Sequence, residues 1–318
     1  MELGLYFAVC NSMPLESALE QVASLGYTCI ELSTHTGGRF DVAEMLGNGK
    51  WQEVRAAVKA AGLRISAINM SADGQLVLGP HHADTDLIHR GTAEEKILYG
   101  TNRMLMAAEL ASKMQIPVIT GFTGCEDYSR WFPWPDANAW ERMEPILVER
   151  WTPILKRMDE LEIRFGMECH PRQIVYNTET ALRSVELLGH HTSWCFNLDP
   201  ANLMLAGVDP VVFAAELGPR IVNVHAKDGE IVAHNVRRSG LLAHGAWDRP
   251  DRGFRFRIAG WGDVPWRRLI TELALQGYNG PLTVEHEDAT MSPMEGIHKA
   301  ADFLSPLLIR EPFPGRWW

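Results

Sequence analysis

The sequence predicts an α/β protein of one domain spanning residues 1–318, a (β/α)8 TIM barrel with long loops after strands 3, 4 and 7. Three observations carry that expectation. Eight short β-rich runs alternate with amphipathic helical segments along the whole chain, the pattern of βαβ units and a parallel sheet. Most of the runs are almost continuously apolar, as strands covered on both faces are. Links into strands are short whereas segments leaving strands are long, and in a barrel the strand-following loops gather on the face where active sites are built. A doubly wound sheet normally carries a glycine-rich phosphate turn after its first strand, and Cys10–Pro14 offers none. A chain of 318 residues exceeds the ~250 typical of such barrels, as long loops would require.

In chain order, the first strand is read at Leu3–Cys10. Ser12 and Pro14 then open a helix that sets Leu15, Leu19, Val22 and Leu25 on one stripe before Gly26. Strand two is Cys29–Ser33, followed by a helix at Trp51–Ala60 and strand three at Arg64–Met70. Ala72–Gly91 reads as a loop, Thr92–Met114 as a helix, and Pro117–Gly121 as strand four. After the loop Phe122–Asn138 come a helix at Ala139–Leu161, strand five at Ile163–His170 and a helix at Thr178–Leu188. Strand six is Trp194–Asp199; Asp209-Pro210 caps the helix Val211–Leu217, and strand seven is Ile221–Asp228. The longest loop, Gly229–Gly262, precedes a helix carrying Trp266, Leu269, Ile270 and Leu273 at helical spacing. Strand eight is Leu282–His286. The links Leu25–Thr28, Ala61–Leu63 and Gln276–Pro281 are the short ones.

Composition narrows the function. Hydrophobic residues make up 46% and charged residues 22%, so a large core is available. The net charge of −10, without a dense Lys/Arg run, argues against nucleic acid, which wants a basic face. The cluster Arg249, Arg252, Arg255 and Arg257 is broken by Asp248 and Asp251, and suits a small anionic or polyhydroxylated ligand better. Cys10, Cys29, Cys125, Cys169 and Cys195 form an odd set with no CxxC spacing, expected to be buried free thiols of a reducing compartment. The N-terminus enters an apolar run at once, with no basic region or cleavage site. No apolar stretch approaches the ~20 residues that span a bilayer, so the expected location is cytoplasmic with no membrane contact.

Four successive strands end in residues able to bind a hard or borderline metal. Strand five ends Met167-Glu168-Cys169-His170, strand six Asn197-Leu198-Asp199-Pro200, strand seven His225-Ala226-Lys227-Asp228, and strand eight Val284-Glu285-His286-Glu287-Asp288. Neighbouring strands stand about 4.8 Å apart, so their ends can converge on one ion. A lone glutamate or histidine at a strand end is ordinarily half of an ion pair. Four at one depth on consecutive strands instead point to a shared ligand. Glu168, Asp199, His225 and Glu285 offer three carboxylates and an imidazole, suited to one divalent ion: Mn2+ first, then Mg2+, Co2+ or Zn2+.

At these residues the chain resembles the sugar phosphate isomerase/epimerase family, the xylose-isomerase-like barrels that include ketose 3-epimerases, inosose dehydratases and endonuclease IV. The stretches that carry the likeness are FGMECH, FNLDPANL, VNVHAKD, GWGDVPW and PLTVEHED, and it covers essentially the whole chain. The resemblance implies that the four strand-end residues hold one catalytic metal. It further implies that Glu168 and Glu285 are catalytic, one removing the proton alpha to a carbonyl and the other returning it.

Around this set, His170 shares the face of Glu168 by strand alternation, and Lys227 follows His225 by two. Both are candidates to contact substrate. Asn202 stands where the family commonly has a histidine in an Asp-Pro-x-His-Leu run, which weakens the comparison with the histidine-rich endonuclease IV branch. It is kept as a substrate-binding candidate, with His81 and His82 of the loop after strand three and Arg257 before AGWGD. Glu31 and Asn69 end strands two and three and are expected to face the pocket. Trp131, Phe132 and Trp134 would stack on a sugar ring or aglycone, or bury themselves against a second subunit. The tail 311–318, with its two tryptophans, is expected to pack on the barrel or at a subunit contact.

The resulting expectation is a metal-dependent isomerase or epimerase of a keto-sugar or sugar phosphate, with a small carbohydrate as partner and a homo-oligomeric state. The alternative is a lyase on 3-keto-glycosides, of the C-glycoside deglycosidase large-subunit type, expelling a β-leaving group at the same site and accompanied by a small accessory subunit. A non-catalytic sugar- or metal-binding protein is the third reading. Two glutamates bracketing one metal are more than binding requires.

Overall fold

The computed structural model describes residues 1–311. In chain order the elements are β1 Glu2–Tyr6, α1 Leu15–Ser24, β2 Cys29–Ser33, α2 Val42–Gly47, α3 Lys50–Ala60, β3 Arg64–Asn69, α4 Ser71–Leu78, α5 Ala93–Met114, β4 Val118–Gly121, α6 Glu144–Glu160 and β5 Arg164–Glu168. They continue with α7 Thr178–Leu187, β6 Trp194–Leu198, α8 Pro200–Leu205, α9 Pro210–Leu217, β7 Ile221–Ile231, α10 Ala233–Ser239, β8 Phe254–Ile258, α11 Trp266–Leu275, β9 Pro281–Val284 and α12 Pro293–Leu304.

Eight strands pair in parallel around a closed ring. β1 pairs with β2 and each strand with the next as far as β7, which pairs with β9, and β9 returns to β1 through Leu3 beside Leu282. The protein is a (β/α)8 barrel. β8 stands outside the ring. It runs antiparallel to the far half of β7, with Lys227 opposite Ile258 and Ile231 opposite Phe254.

The wall strands bury nearly every residue, which is why their sequences read as continuous apolar runs. Between the barrel and its helices, Trp151 stacks on Phe165 at 4.7 Å and meets Trp194 edge-on at 5.9 Å; both indoles are fully buried. Towards the C-terminal end of the strands, the barrel interior turns polar. Glu31, Thr120, Asn197, Asn223 and Thr283 are all buried there and joined by hydrogen bonds.

Several segments differ from the sequence expectation. β1 stops at Tyr6, because Phe7–Cys10 winds into a 3-10 turn that buries Phe7 and Cys10. The long helix expected from Ala139 begins at Glu144, behind a 3-10 turn at Glu141–Met143. The stretch 72–91 is not simply a loop, since α4 occupies its first part with Gly74–Leu78 all buried. Gly229–Gly262 likewise holds the end of β7, α10 and β8. α2, α8 and α12 have no counterpart in the sequence expectation. The tail 311–318, expected to pack on the barrel or at a subunit contact, lies outside the described residues beyond Glu311. All five cysteines are buried and unpaired. Among the described residues no helix is long and apolar enough to cross a membrane.

Candidate metal centre

Four side chains meet at the C-terminal mouth of the barrel. Glu168 is the last residue of β5, Asp199 follows β6, His225 lies within β7 and Glu285 follows β9. Each offers one ligand atom, and those atoms all lie within 4.8 Å of one another. The first three are buried, and Glu285 is only partly accessible.

Local structure fixes each of them. Asp199 caps α8: its Oδ1 accepts the backbone N–H of Ala201 at 2.9 Å and of Asn202 at 3.0 Å, and Pro200 occupies the first helical turn. Asn202, one turn further on, donates its Nδ2 to Asp199 Oδ2 at 2.9 Å and to Glu168 Oε1 at 2.7 Å. Asn197 donates to the other oxygen, Glu168 Oε2, at 2.9 Å. The Lys227 ammonium, buried beside β7, contacts Asp199 Oδ2, Glu285 Oε2 and Glu287 Oε2, each at 2.9 Å.

His225 shows what the cluster is built around. Its Nε2 lies 3.2 Å from both oxygens of Glu31, whose carboxylate also accepts from Asn223 at 3.0 Å. A carboxylate there calls for an N–H at Nε2, which leaves a lone pair at Nδ1. Nδ1 sits 3.0 Å from Glu168 Oε2 and 3.3 Å from Glu285 Oε2 but makes no hydrogen bond to either. A lone pair facing two carboxylates is repulsive unless a cation or a proton stands between them. The donor set of three carboxylate oxygens and one imidazole fits a divalent ion of the Mn2+, Mg2+, Co2+ or Zn2+ group.

Without an ion, the same carboxylates draw a proton to that point. Burial disfavours the charged imidazolium of His225, yet Glu31, Glu285 and Glu168 together raise its pKa well above the ordinary value. Burial pushes Asp199 up to about 7 in spite of Lys227. Glu285 is held well below the usual carboxylate range: Lys227 and then His225 outweigh its burial. Glu31, Glu168, Asp199, Glu285 and Glu287 thus set five carboxylates against a single lysine, a deficit of positive charge that one divalent ion would halve.

Glu31 orients the histidine from behind, as an outer carboxylate does in many metal sites. Replacing Glu31 with Gln is expected to weaken divalent-metal affinity by about 10–100-fold while the fold survives. Chelator competition against Mn2+ measures this, and an unchanged dissociation constant would remove Glu31 from the site.

A cavity of about 400 Å3 opens over the centre. From the sequence-derived set its wall includes Glu168, Glu285, His170, Lys227 and Asn202. His170 packs at 5.2 Å against Phe122, and burial, then Lys227 and Arg172, drives its pKa down to about 3, so it meets the cavity as a neutral imidazole. Asn69 also reaches the wall, whereas Glu31 lies beneath it.

Three candidates are placed elsewhere, the first being His81, whose Nε2 lies 2.8 Å from the Leu76 carbonyl oxygen. The His82 ring is 63% exposed and 3.6 Å from Asp84. Arg257 spends its guanidinium on Asp288 at 2.8 Å and Glu230 at 2.7 Å, bracing β8. Tyr6, Phe122, Arg172, Trp247, Phe256 and Glu287 line the cavity without having been singled out. Glu287 was legible, since it sits two residues beyond Glu285 and shares its face. For Trp247 and Phe256, brought in by the β7–β8 hairpin, spacing along the chain gives no such signal.

Residues 19–307 match the sequence model of the family described as xylose isomerase-like TIM barrel. The chain is 28% identical over 321 residues to the protein YfiH of Bacillus subtilis (strain 168), covering 96% of this chain and 98% of that one. Among solved structures it superposes on 3-keto-D-glucoside 4-epimerase YcjR of E. coli with a TM-score of 0.68 at 13% identity, covering 96% and 98% of the two chains. It superposes on a D-psicose 3-epimerase, solved in the presence of D-fructose, with a TM-score of 0.66 at 16% identity over 96% and 99%. At these identities the two structures establish a shared fold.

Proposed function

The chain belongs to the xylose isomerase-like TIM barrel family, and from that premise we propose that it is a divalent-metal-dependent enzyme that isomerises or epimerises a keto-sugar or sugar phosphate. The observation that carries this reading is the convergence of Glu168, Asp199, His225 and Glu285 around the unpartnered Nδ1, under a cavity at the barrel mouth. Sugar epimerisation is also the chemistry in the names of the two fold neighbours, one of which acts on a keto-glucoside.

When bound, a divalent ion polarises a carbonyl oxygen and acidifies the adjacent C–H. The chain's own residues do the rest. Glu168 and Glu285 line the cavity from non-adjacent strands, so each is available to hold a proton beside the reacting carbon. Asn202 and Asn197 clamp both oxygens of Glu168, fixing its orientation. Lys227 anchors Glu285 and Asp199 and holds Glu285 ionised. Phe122, Phe256 and Tyr6 give the cavity its apolar surface and thin the water around the charges. A soluble carbohydrate is the partner, and the exposed Trp131, Phe132 and Trp134 are the surface on which a homo-oligomeric contact would form.

The second reading is β-elimination from a 3-keto-glycoside, which starts with the same proton abstraction. The observation favouring it is room: a further cavity adjoins the metal chamber and shares its Trp247, Phe256 and Glu287 walls. A panel of ketoses, sugar phosphates and 3-keto-glycosides with Mn2+ in deuterated water tests both. Epimerisation gives a product heavier by one deuterium, whereas elimination gives a freed leaving group. Absence of both metal-dependent deuterium uptake and leaving-group release across the panel would defeat both readings.

A further inference from the structure

The adjoining cavity measures about 260 Å3, less than the ~300–1,000 Å3 of an ordinary small-molecule site. Standing alone, it is too small for a separate ligand. Trp247, Phe256 and Glu287 line both spaces, so the smaller one lies directly beside the 400 Å3 metal chamber, as an annex across the indole. The other boundaries of the annex come from the hairpin loop, with Asp248, Arg249 and Pro250, and from Thr290 after β9.

Its principal surface is the Trp247 indole, which is 48% exposed yet firmly held. The Arg252 guanidinium lies 3.9 Å from the indole centroid, and Phe256 leans on it at 4.7 Å. Arg252 is itself buried, and its Nη1 donates to the carbonyls of Gly245 at 2.9 Å, His244 at 3.3 Å and Ala246 at 3.4 Å, clasping the turn just before Trp247. Asn235 on α10 donates to the Arg252 carbonyl at 3.0 Å, tying that clasp to the hairpin. On the other side, Lys227 Nζ lies 4.8 Å from the Phe256 ring while touching Asp199 and Glu285. A continuous packed row, Lys227–Phe256–Trp247–Arg252, therefore runs from the metal centre into the annex. A fixed, half-exposed indole beside polar groups such as Glu287, Asp248 and Thr290 is a stacking platform for a ring with hydroxyls at its edge.

We infer that the substrate has two parts: a keto-sugar held at the metal centre and a second ring, of a sugar or an aromatic aglycone, stacked on Trp247 in the annex. This rests on the metal-dependent keto-sugar reading above and narrows its substrate class to glycosides. Arg252 and Phe256 are positioning residues, holding the platform that touches the substrate.

The test compares the 3-keto forms of methyl glucoside, phenyl glucoside and cellobiose, using the Mn2+-loaded full chain and its Trp247→Ala and Trp247→Phe variants. Steady-state kinetics and calorimetric binding are both read. The wild type should favour at least one two-ring compound over the methyl glycoside by about tenfold or more in KM, with kcat little changed. Trp247→Ala should bring that ratio close to one, and Trp247→Phe should restore most of it. Preference for the phenyl compound alone identifies an aromatic second ring, and preference for the disaccharide a sugar. Equal handling of all three by the wild type, or a preference that survives Trp247→Ala, overturns the inference and leaves the keto-sugar reading standing on the methyl compound. If none of the three binds or turns over with metal, the keto-sugar reading itself has failed.

Discussion

Replacing Glu285 with Gln is expected to lower kcat by about 10²–10⁴-fold while the protein keeps its divalent ion. Glutamine retains a carbonyl oxygen for coordination and nearly the same volume, so the cavity and the other three ligands stay in place. It cannot accept a proton at the working pH. The Lys227 ammonium would still contact Asp199 and Glu287, so the variant keeps that charge paired. Metal content by elemental analysis and turnover of a working substrate decide the matter, and full turnover with metal retained would end the assignment. Glu168→Gln should be comparably severe, and deuterium separates the two. The variant that still holds the abstracting glutamate should exchange substrate hydrogen with solvent without forming the epimer. The variant lacking it should do neither from that face.

A second large effect is expected far from any proton transfer. Asp228→Asn should cost about 3–5 kcal/mol of stability, read as a lowered urea midpoint. The Asp228 carboxylate is fully buried. Its Oδ1 accepts from Gly229 N at 2.8 Å and Val264 N at 2.9 Å, and its Oδ2 from Gly260 N at 2.9 Å and Trp266 Nε1 at 2.8 Å. An amide offers only one acceptor oxygen and would turn its NH2 against two of those donors. Each buried donor left unpaired costs about 1–3 kcal/mol. The same geometry explains the GWG turn. A Cβ on Gly262 would lie 2.4 Å from Asp228 Oδ1, and one on Gly260, whose φ is +90°, 2.5 Å from the Phe303 ring. These glycines allow close approach to Asp228 and to α12. A loss below about 1 kcal/mol would show that water or a shifted turn replaces those bonds.

Much of this was legible beforehand, for reasons visible in single segments. Cys29–Ser33 and Trp194–Asp199 are legible as strands because all their residues are buried, although Asp199 itself caps α8. The four candidate ligands are legible because each falls near the end of an apolar run in a consecutive series, although His225 stands mid-strand once β7 continues to Ile231. α4 was missed for the same physical reason that strands were found: its Gly74–Leu78 stretch is buried all round, so no polar stripe marks it as a helix. α8 is a short, buried helix announced only by the Asp199-Pro200 cap, the same signal that identified α9 at Asp209-Pro210. In Phe254–Ile258 the alternation FRFRI is a plain strand pattern, and its burial alternates accordingly. Read with Arg249 and Arg252, its arginines look like a basic cluster facing a ligand, whereas Arg257 pairs with Asp288 and Glu230. Glu31 was placed on the pocket side of strand two, but its hold on His225 joins residues 194 positions apart, and strand periodicity carries no such information.

β7 is twice the length of most wall strands, running from Ile221 in the ring to Ile231 in the hairpin. One rigid segment therefore carries His225, Lys227 and Asp228 at its stem and supports, through β8, the loop that presents Trp247. In an evolving lineage such a layout divides labour along a single strand. Insertions and exchanges at 232–253 can retune which molecules are accepted while the stem, pinned by Asp228, shields the reaction apparatus from their side effects. Relatives with different appetites are then expected to diverge most at the hairpin tip and least at the strand beneath it.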